Sequence, residues 1–305
     1  EEAVQADQAA DPTAPPEPPG PSRILIYALS DVEDSVDDYG QWYLGPAQLE
    51  PVTEALAARG YDVVVHDRRT LPVFAEADLR EFRQVWIFEA DGNGRVDPTP
   101  EDVRVLREFY EAGGGVWLSG ENTVDPATSN WTEDINRYAE PFGFSIDRNV
   151  VLHSVVMPVP PADHPLLDGV NSIVFDSEVG SITRTDEGLE VLVPIEDRAR
   201  FLRPSLTYTD LFQWADPDRY RQAYESGDSY SFGWLLDRNF KKAGPPVTRN
   251  LPGIVVGDSR DDGGGRLVGD AGWVLGWAFT DYDWDEYRNA DNLTFLLNVA
   301  EWLGS

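Results

Sequence analysis

The chain contains no cysteine, a single methionine, three histidines and only two lysines, Lys241 and Lys242. Without cysteine there is no disulfide, no thiolate nucleophile and no thiolate-bound metal. His66, His153 and His164 stand apart in sequence, so none forms the i, i+4 pair with which a helix binds zinc. Structural roles fit them better: His66 ends an apolar run beside Asp67, and His164 precedes Pro165 in a turn. Apolar runs of membrane-spanning length are also missing, so no helix is predicted to cross a bilayer. Positive charge is scarce. Lys+Arg 24 against Asp+Glu 55 gives a net charge of -31, which opposes nucleic acid and anionic lipid through long-range repulsion.

With 305 residues, 41% of them hydrophobic, the chain can build one large or two modest domains with a real core. Residues 1–22 combine Ala, Pro and acid without an apolar period, and such a segment buries too little surface to order itself. It reads as a flexible leader left by signal-peptide removal, which predicts export to a periplasm, a cell surface or the extracellular medium. An arbitrary chain boundary is the other reading. The acid excess fits either a salt-adapted, halophilic surface or calcium-rich surroundings.

Gln84 to Asn122 organises the rest. An apolar run (Val85 to Phe88) leads into an acidic, glycine-containing loop, then a helix of period 3.6, three glycines and a second apolar run (Val116 to Leu118). Thr99 is placed to cap the helix, Pro100 suits its first position and Asp102 can reach back as a capping-box acid. Val103, Leu106, Phe109 and Tyr110 share a face, and Gly113 supplies a left-handed stop. A strand, loop, helix, strand unit with continuously apolar strands predicts a flavodoxin-like α/β fold: a doubly wound, mostly parallel sheet with a β-rich C-terminal extension.

Taken in order, Arg23 to Ala28 is the first strand and Ala47 to Arg59 a helix; GYDVVVHD is a second buried strand, and Trp131 to Phe142 another helix. From Asn149, apolar runs at 150–157, 172–175, 189–194 and 254–256 suggest strands extending the same sheet. Polar, aromatic residues 208–234 between them resist assignment. The last helix, Asp291 to Leu303, is expected to bury Leu293, Leu296, Leu297, Ala300 and Leu303. The predicted organisation is a single domain over 23–303, its core formed by 23–146 and 251–303 around a β-rich insert at about 149–250.

This order of elements, with EAGGGVWLSGEN, HPLLDGV at 164–170, GRLVGD and NADNLTFLLNVAEWL, resembles the class I glutamine-amidotransferase-like superfamily. The likeness is nearest to its non-amidotransferase branches, the domains of gliding-motility and intraflagellar-transport proteins and the trehalose-utilisation-like proteins. Catalytic members carry a Cys nucleophile on an elbow after the glycines, partnered by a His and an acid. Here that place falls on Ser119 or Gly120, no cysteine exists and no His-x-Glu pair follows, so the resemblance implies a chain without amidotransferase chemistry. As a serine elbow the site also departs from pattern, because Trp117 and Glu121 stand where glycines belong. A strand-end serine bonded to local backbone is the plainer reading.

Loops after the first, third and fourth strands of such a sheet converge at one crevice. Ligand-binding residues are therefore expected among Asp31, Asp34, Trp42, Glu89, Ser119, Glu121 and Asn122. Glu89, Asp91, Asn93 and Asp97, with Gly94 and Val96, repeat the first part of a calcium loop, and calcium is the one cofactor suggested. Pro100 stands at the twelfth place, where a bidentate Glu belongs, and a solvated acidic face is the bland alternative. Loop tryptophans such as Trp42 could stack on sugar rings or simply pack down their loops. The expected function is an exported, non-catalytic binding or interaction module holding a protein, a glycan or a cation at these acidic, aromatic loops, with self-association open. Two alternatives remain: a carboxylate-dependent hydrolase of glycans or esters using Glu89 and Glu121, and a structural subunit of a surface assembly.

Overall fold

Apolar side chains on alternating sides of a strand demand cover on both faces, and the chain supplies it. A computed structural model describes residues 22–29, 46–88, 98–120, 131–151, 156–160, 163–175, 178–195, 200–201, 251–272, 274 and 291–305. Strands β1 (Arg23–Ala28), β2 (Asp62–His66), β3 (Gln84–Phe88), β4 (Gly115–Ser119), β9 (Glu190–Pro194), β11 (Pro252–Asp258) and β12 (Arg266–Asp270) form a seven-stranded sheet in the order β2-β1-β3-β4-β12-β11-β9. The first five in that order run parallel, and β11 is antiparallel to both neighbours. The order 2-1-3-4 is that of a flavodoxin-like sheet, as the sequence predicts.

Period two sorts the strand residues into two cores. Ile24, Ile26, Trp86, Phe88, Trp117 and Val268 meet helices α1 (Pro46–Ala58) and α4 (Asn292–Gly304) on one face. Leu25, Tyr27, Val85, Ile87, Leu118 and Leu267 meet α2 (Pro100–Glu111) and α3 (Trp131–Ala139) on the other. Helix α2 forms as its sequence dictates, with Thr99 and Asp102 making a reciprocal capping box. It stops where Gly113 adopts a φ of +93°. The backbones then close up: a Cβ on Gly265 would lie 1.9 Å from the Gly114 carbonyl oxygen, so two glycine stretches can pack only as glycine.

Several expectations need correction. Strand β2 is at the edge of the sheet, and Val63 to His66 are half-buried, not buried, because only β1 covers one flank. In α4, Leu293 is exposed and Leu297 half-buried; the buried face is Phe295, Leu296, Val299, Ala300, Trp302 and Leu303. The later strands do not all extend one sheet. Because β12 takes the free edge of β4, β5 (Phe144–Val151) finds no parallel place and pairs antiparallel with β8 (Glu178–Arg184) and β10 (Arg200–Phe201) in a separate sheet. Strands β6 (Val156–Pro158) and β7 (Ser172–Val174) form a two-stranded ribbon.

Two polar devices fix α4. Fully buried Gln84 accepts from Trp86 Nε1 at 3.1 Å and donates to the Ala300 carbonyl at 2.7 Å. At the helix end, Arg266 lies 4.7 Å from the Trp302 ring, donates to the Trp302 carbonyl and bonds Asp258 at 3.0 Å. Replacing Gln84→Leu strips a partner from a buried indole N–H and a buried carbonyl at once. We expect a loss of about 2–4 kcal/mol in urea unfolding. Arg80→Ala, which removes one exposed ion pair, should leave the urea unfolding midpoint unchanged.

Candidate functional site

The register of the sheet sets four strand ends in a row: Ala28 pairs with Phe88, Phe88 with Ser119, and Ser119 with Asp270. Just beyond these ends lies the carboxyl edge, where a doubly wound sheet receives ligands. Two of these four ends are polar and fully buried.

Ser119 and Asp270 are both 0% exposed, and the Ser119 hydroxyl donates to Asp270 Oδ2 at 2.7 Å. The same carboxylate accepts the backbone N–H groups of Gly272 and Val274, each at 2.8 Å. Gly120 N–H donates to the Asp270 carbonyl at 2.9 Å, which locks β4 to β12 at their last residues. A buried carboxylate is tolerable because three donors face it. Ser119 thus bonds a carboxylate from a strand 151 residues away instead of local backbone. Asp270 was not picked out by sequence reasoning; an acid closing the apolar phrase GRLVGD was the available signal.

A second knot lies under β1, β2 and the start of α2. Buried Asp102 accepts from Ala75 N–H at 2.6 Å, Thr99 N–H at 2.7 Å and the Thr99 hydroxyl at 2.8 Å, so the cap residue also fastens the β2–β3 connection. Arg68 is buried nearby and donates to the Pro72 carbonyl at 2.9 Å. Burial depresses its pKa, against the favourable fields of Tyr27, Tyr138, Asp102 and Asp134. Burial pushes the Tyr27 phenol up to about 12 and Tyr138 well above its ordinary value, so both stay neutral. Tyr27 donates to the Leu71 carbonyl at 2.9 Å. These groups brace the loop after β2.

Neither described histidine bonds Ser119. His66 Nδ1 is 3.1 Å from the Thr70 hydroxyl, and His164 Nδ1 accepts from Leu166 N–H at 3.2 Å while its ring meets the Trp302 ring edge-on at 5.3 Å. His153 lies outside the described residues. On the flank of the molecule, a groove of about 500 Å³ opens between β8 and the β9–β11 pair.

Of the residues predicted to bind ligand, Ser119 alone is described. Asp31, Asp34, Trp42, Glu89, Glu121 and Asn122, and the metal candidates Glu89, Asp91, Asn93 and Asp97, lie outside the described residues. Among the described residues, no group of three or more acid or histidine side chains could hold a metal ion. No described helix is long and apolar enough to cross a membrane.

Neither a protein-family model nor a curated protein matches the sequence. Solved structures do. The chain is similar to the mmIFT52 N-terminal domain, at 11% identity over 93% of this chain and 98% of that one, with a TM-score of 0.51. A ThuA-like protein from Parabacteroides merdae aligns at 14% identity over 94% and 91% of the two chains, with a TM-score of 0.43. At these identities the likeness to the first is one of fold.

Two outcomes follow from this geometry. Asp270→Ala leaves three buried donors without their acceptor and should cost about 3 kcal/mol or more, whereas Ser119→Ala should cost about 1 kcal/mol, both read from urea unfolding. His164 has a pKa lowered chiefly by burial, with Arg266 also lowering it and Glu190 and Asp258 raising it. The unfolded chain then binds the proton more readily, so its contribution to stability is complete above about pH 6.5 and is lost as pH falls through the lowered folded value. His164→Asn should flatten the stability profile below about pH 6.5 relative to the parent chain.

Proposed function

We propose that the chain is an exported binding module without catalytic machinery, which holds a partner protein at the carboxyl edge of its sheet. One observation carries this reading. At the place that would serve as a nucleophile elbow, the Ser119 hydroxyl is buried and committed to Asp270, and the bonds of His66 and His164 go elsewhere. A serine nucleophile needs an exposed hydroxyl and a base within reach, and this one works as a clamp between strands.

The register supports the location. Acid-bearing stretches 30–45, 89–97 and 121–130, the first of which also carries Tyr39, Trp42 and Tyr43, each begin within two residues of strand ends that lie side by side. Stretches rich in Asp and Glu suit a protein partner bearing positive charge, and the net charge of -31 speeds the approach of one. The composition of residues 1–22 supports export. For calcium, the support is the oxygen-ligand spacing of Glu89, Asp91, Asn93 and Asp97.

The test is a turnover screen on p-nitrophenyl esters, anilides and glycosides, run beside thermal melts in EDTA, calcium, magnesium and sodium chloride. We expect no turnover above background, and any rate abolished by Ser119→Ala or Glu121→Gln would sink the reading. A calcium-specific rise in Tm, absent in Asp91→Ala, supports an ordered cation site, because a ligand of the folded state stabilises by mass action. An equal rise with sodium chloride assigns the carboxylates to a screened, salt-adapted surface.

A further inference from the structure

The flank groove is bordered by two strands that end their sheets. Among the described residues, β8 is the outer strand of the β10-β5-β8 sheet and β9 the outer strand of the main sheet. Consecutive residues Ser181, Ile182, Thr183 and Arg184 of β8 all line the groove. Side chains along a strand point alternately to opposite faces, so a groove that touches four in succession runs along the strand's edge. Strand β8 pairs with β5 on its other side, and Gly180 N–H reaches the Ala271 carbonyl at 3.2 Å just before the groove opens. Its shape therefore suits an extended chain adding one more strand.

Side chains decide which chain. Ile182, Val191 and Leu251 give the groove an apolar floor. Asp147, Asp186 and Glu187 stand along it, and Arg184, the one cation among its described lining residues, donates its guanidinium to the Leu189 carbonyl. A strand that alternates apolar and basic residues would turn one face to the floor and the other to the carboxylates.

We propose that this groove is a strand-docking site for an extended, lysine- or arginine-bearing segment of a partner protein. The inference rests on the reading of the chain as a binding module and names a second surface and the chemistry of its occupant. Backbone pairing with β8 supplies affinity, and the carboxylates select for positive charge. The competing occupant is this chain's own stretch 238–250, which holds Arg238, Lys241, Lys242 and Arg249 and no acid.

The test titrates the full chain against a fluorescein-labelled octapeptide alternating Lys and Val, read by anisotropy. Three companions complete it: the same peptide N-methylated at alternate backbone amides, the variant Glu187→Arg, and the double variant Lys241→Glu/Lys242→Glu. Glu187 is exposed, so its variant should keep the parent melting temperature. We expect micromolar binding, weakened about tenfold by Glu187→Arg and by N-methylation, which removes strand donors and keeps the charge. Equal affinity for the N-methylated peptide means that charge alone attracts it, and no binding, or no effect of Glu187→Arg, means that it sits elsewhere; each overturns the proposal. Binding that tightens about tenfold in the Lys241/Lys242 variant gives the groove to the chain's own segment and overturns it too. None of these outcomes touches the non-catalytic reading, which falls only to turnover.

Discussion

Burial of the central strands on both faces is the constraint from which most of the structure follows. Strands β1, β3, β4 and β12 have no solvent side, so every residue in them must be either apolar or matched by a partner inside the protein. Polar residues in these strands therefore mark joints. Gln84 ties β3 to α4, Arg266 ties β12 to the end of α4, and Ser119 with Asp270 ties β4 to β12. Gln84 and Ser119 reach elements 216 and 151 residues away and so fix the docking of the C-terminal elements on the N-terminal half, while Arg266 holds two C-terminal elements to each other.

The same constraint shaped what could be read from the amino acids. The α2 unit was legible because its signals are local: a cap, a proline, a reciprocal acid and a left-handed glycine within fifteen residues or so. Burial of β2 was misjudged because DVVVH looks like a central strand, and only the strand order reveals that one flank is open. Leu293 was misjudged because helical period alone cannot tell which neighbouring face another helix covers. The split between the main sheet and the β10-β5-β8 sheet depends on β12 claiming the edge of β4, a contact across some 150 residues that no local pattern encodes.

The candidate site divides along the same line. The strand order of a doubly wound sheet was enough to predict that the acidic stretches start from adjoining strand ends. The partner of Ser119 was invisible, because an Asp closing an apolar phrase reads equally as the first residue of a loop. The Ser119 donor comes from the packing of β4 against β12 and the Gly272 and Val274 donors from the turn that follows Asp270, and together they convert what sequence suggests is a solvated acid into a structural clamp.

One joint bears on how such a fold changes over time. Strands β9 and β11 are antiparallel neighbours, and the Ile195 N–H donates to the Leu251 carbonyl at 2.7 Å, so residues 196–250 leave and return at a single bonded pair. An ordinary hairpin closes in a handful of residues. Lengthening that connection to its present span adds loop-closure entropy of only about 2 kcal/mol, since the penalty grows with the logarithm of length. The main sheet already closes at that pair, and the described residues of the connection, those of β10, bond a strand of the other sheet. Descendants of one scaffold could lose, gain or exchange whole segments at this hairpin while keeping both cores intact, which makes it the natural point for relatives to diverge in size.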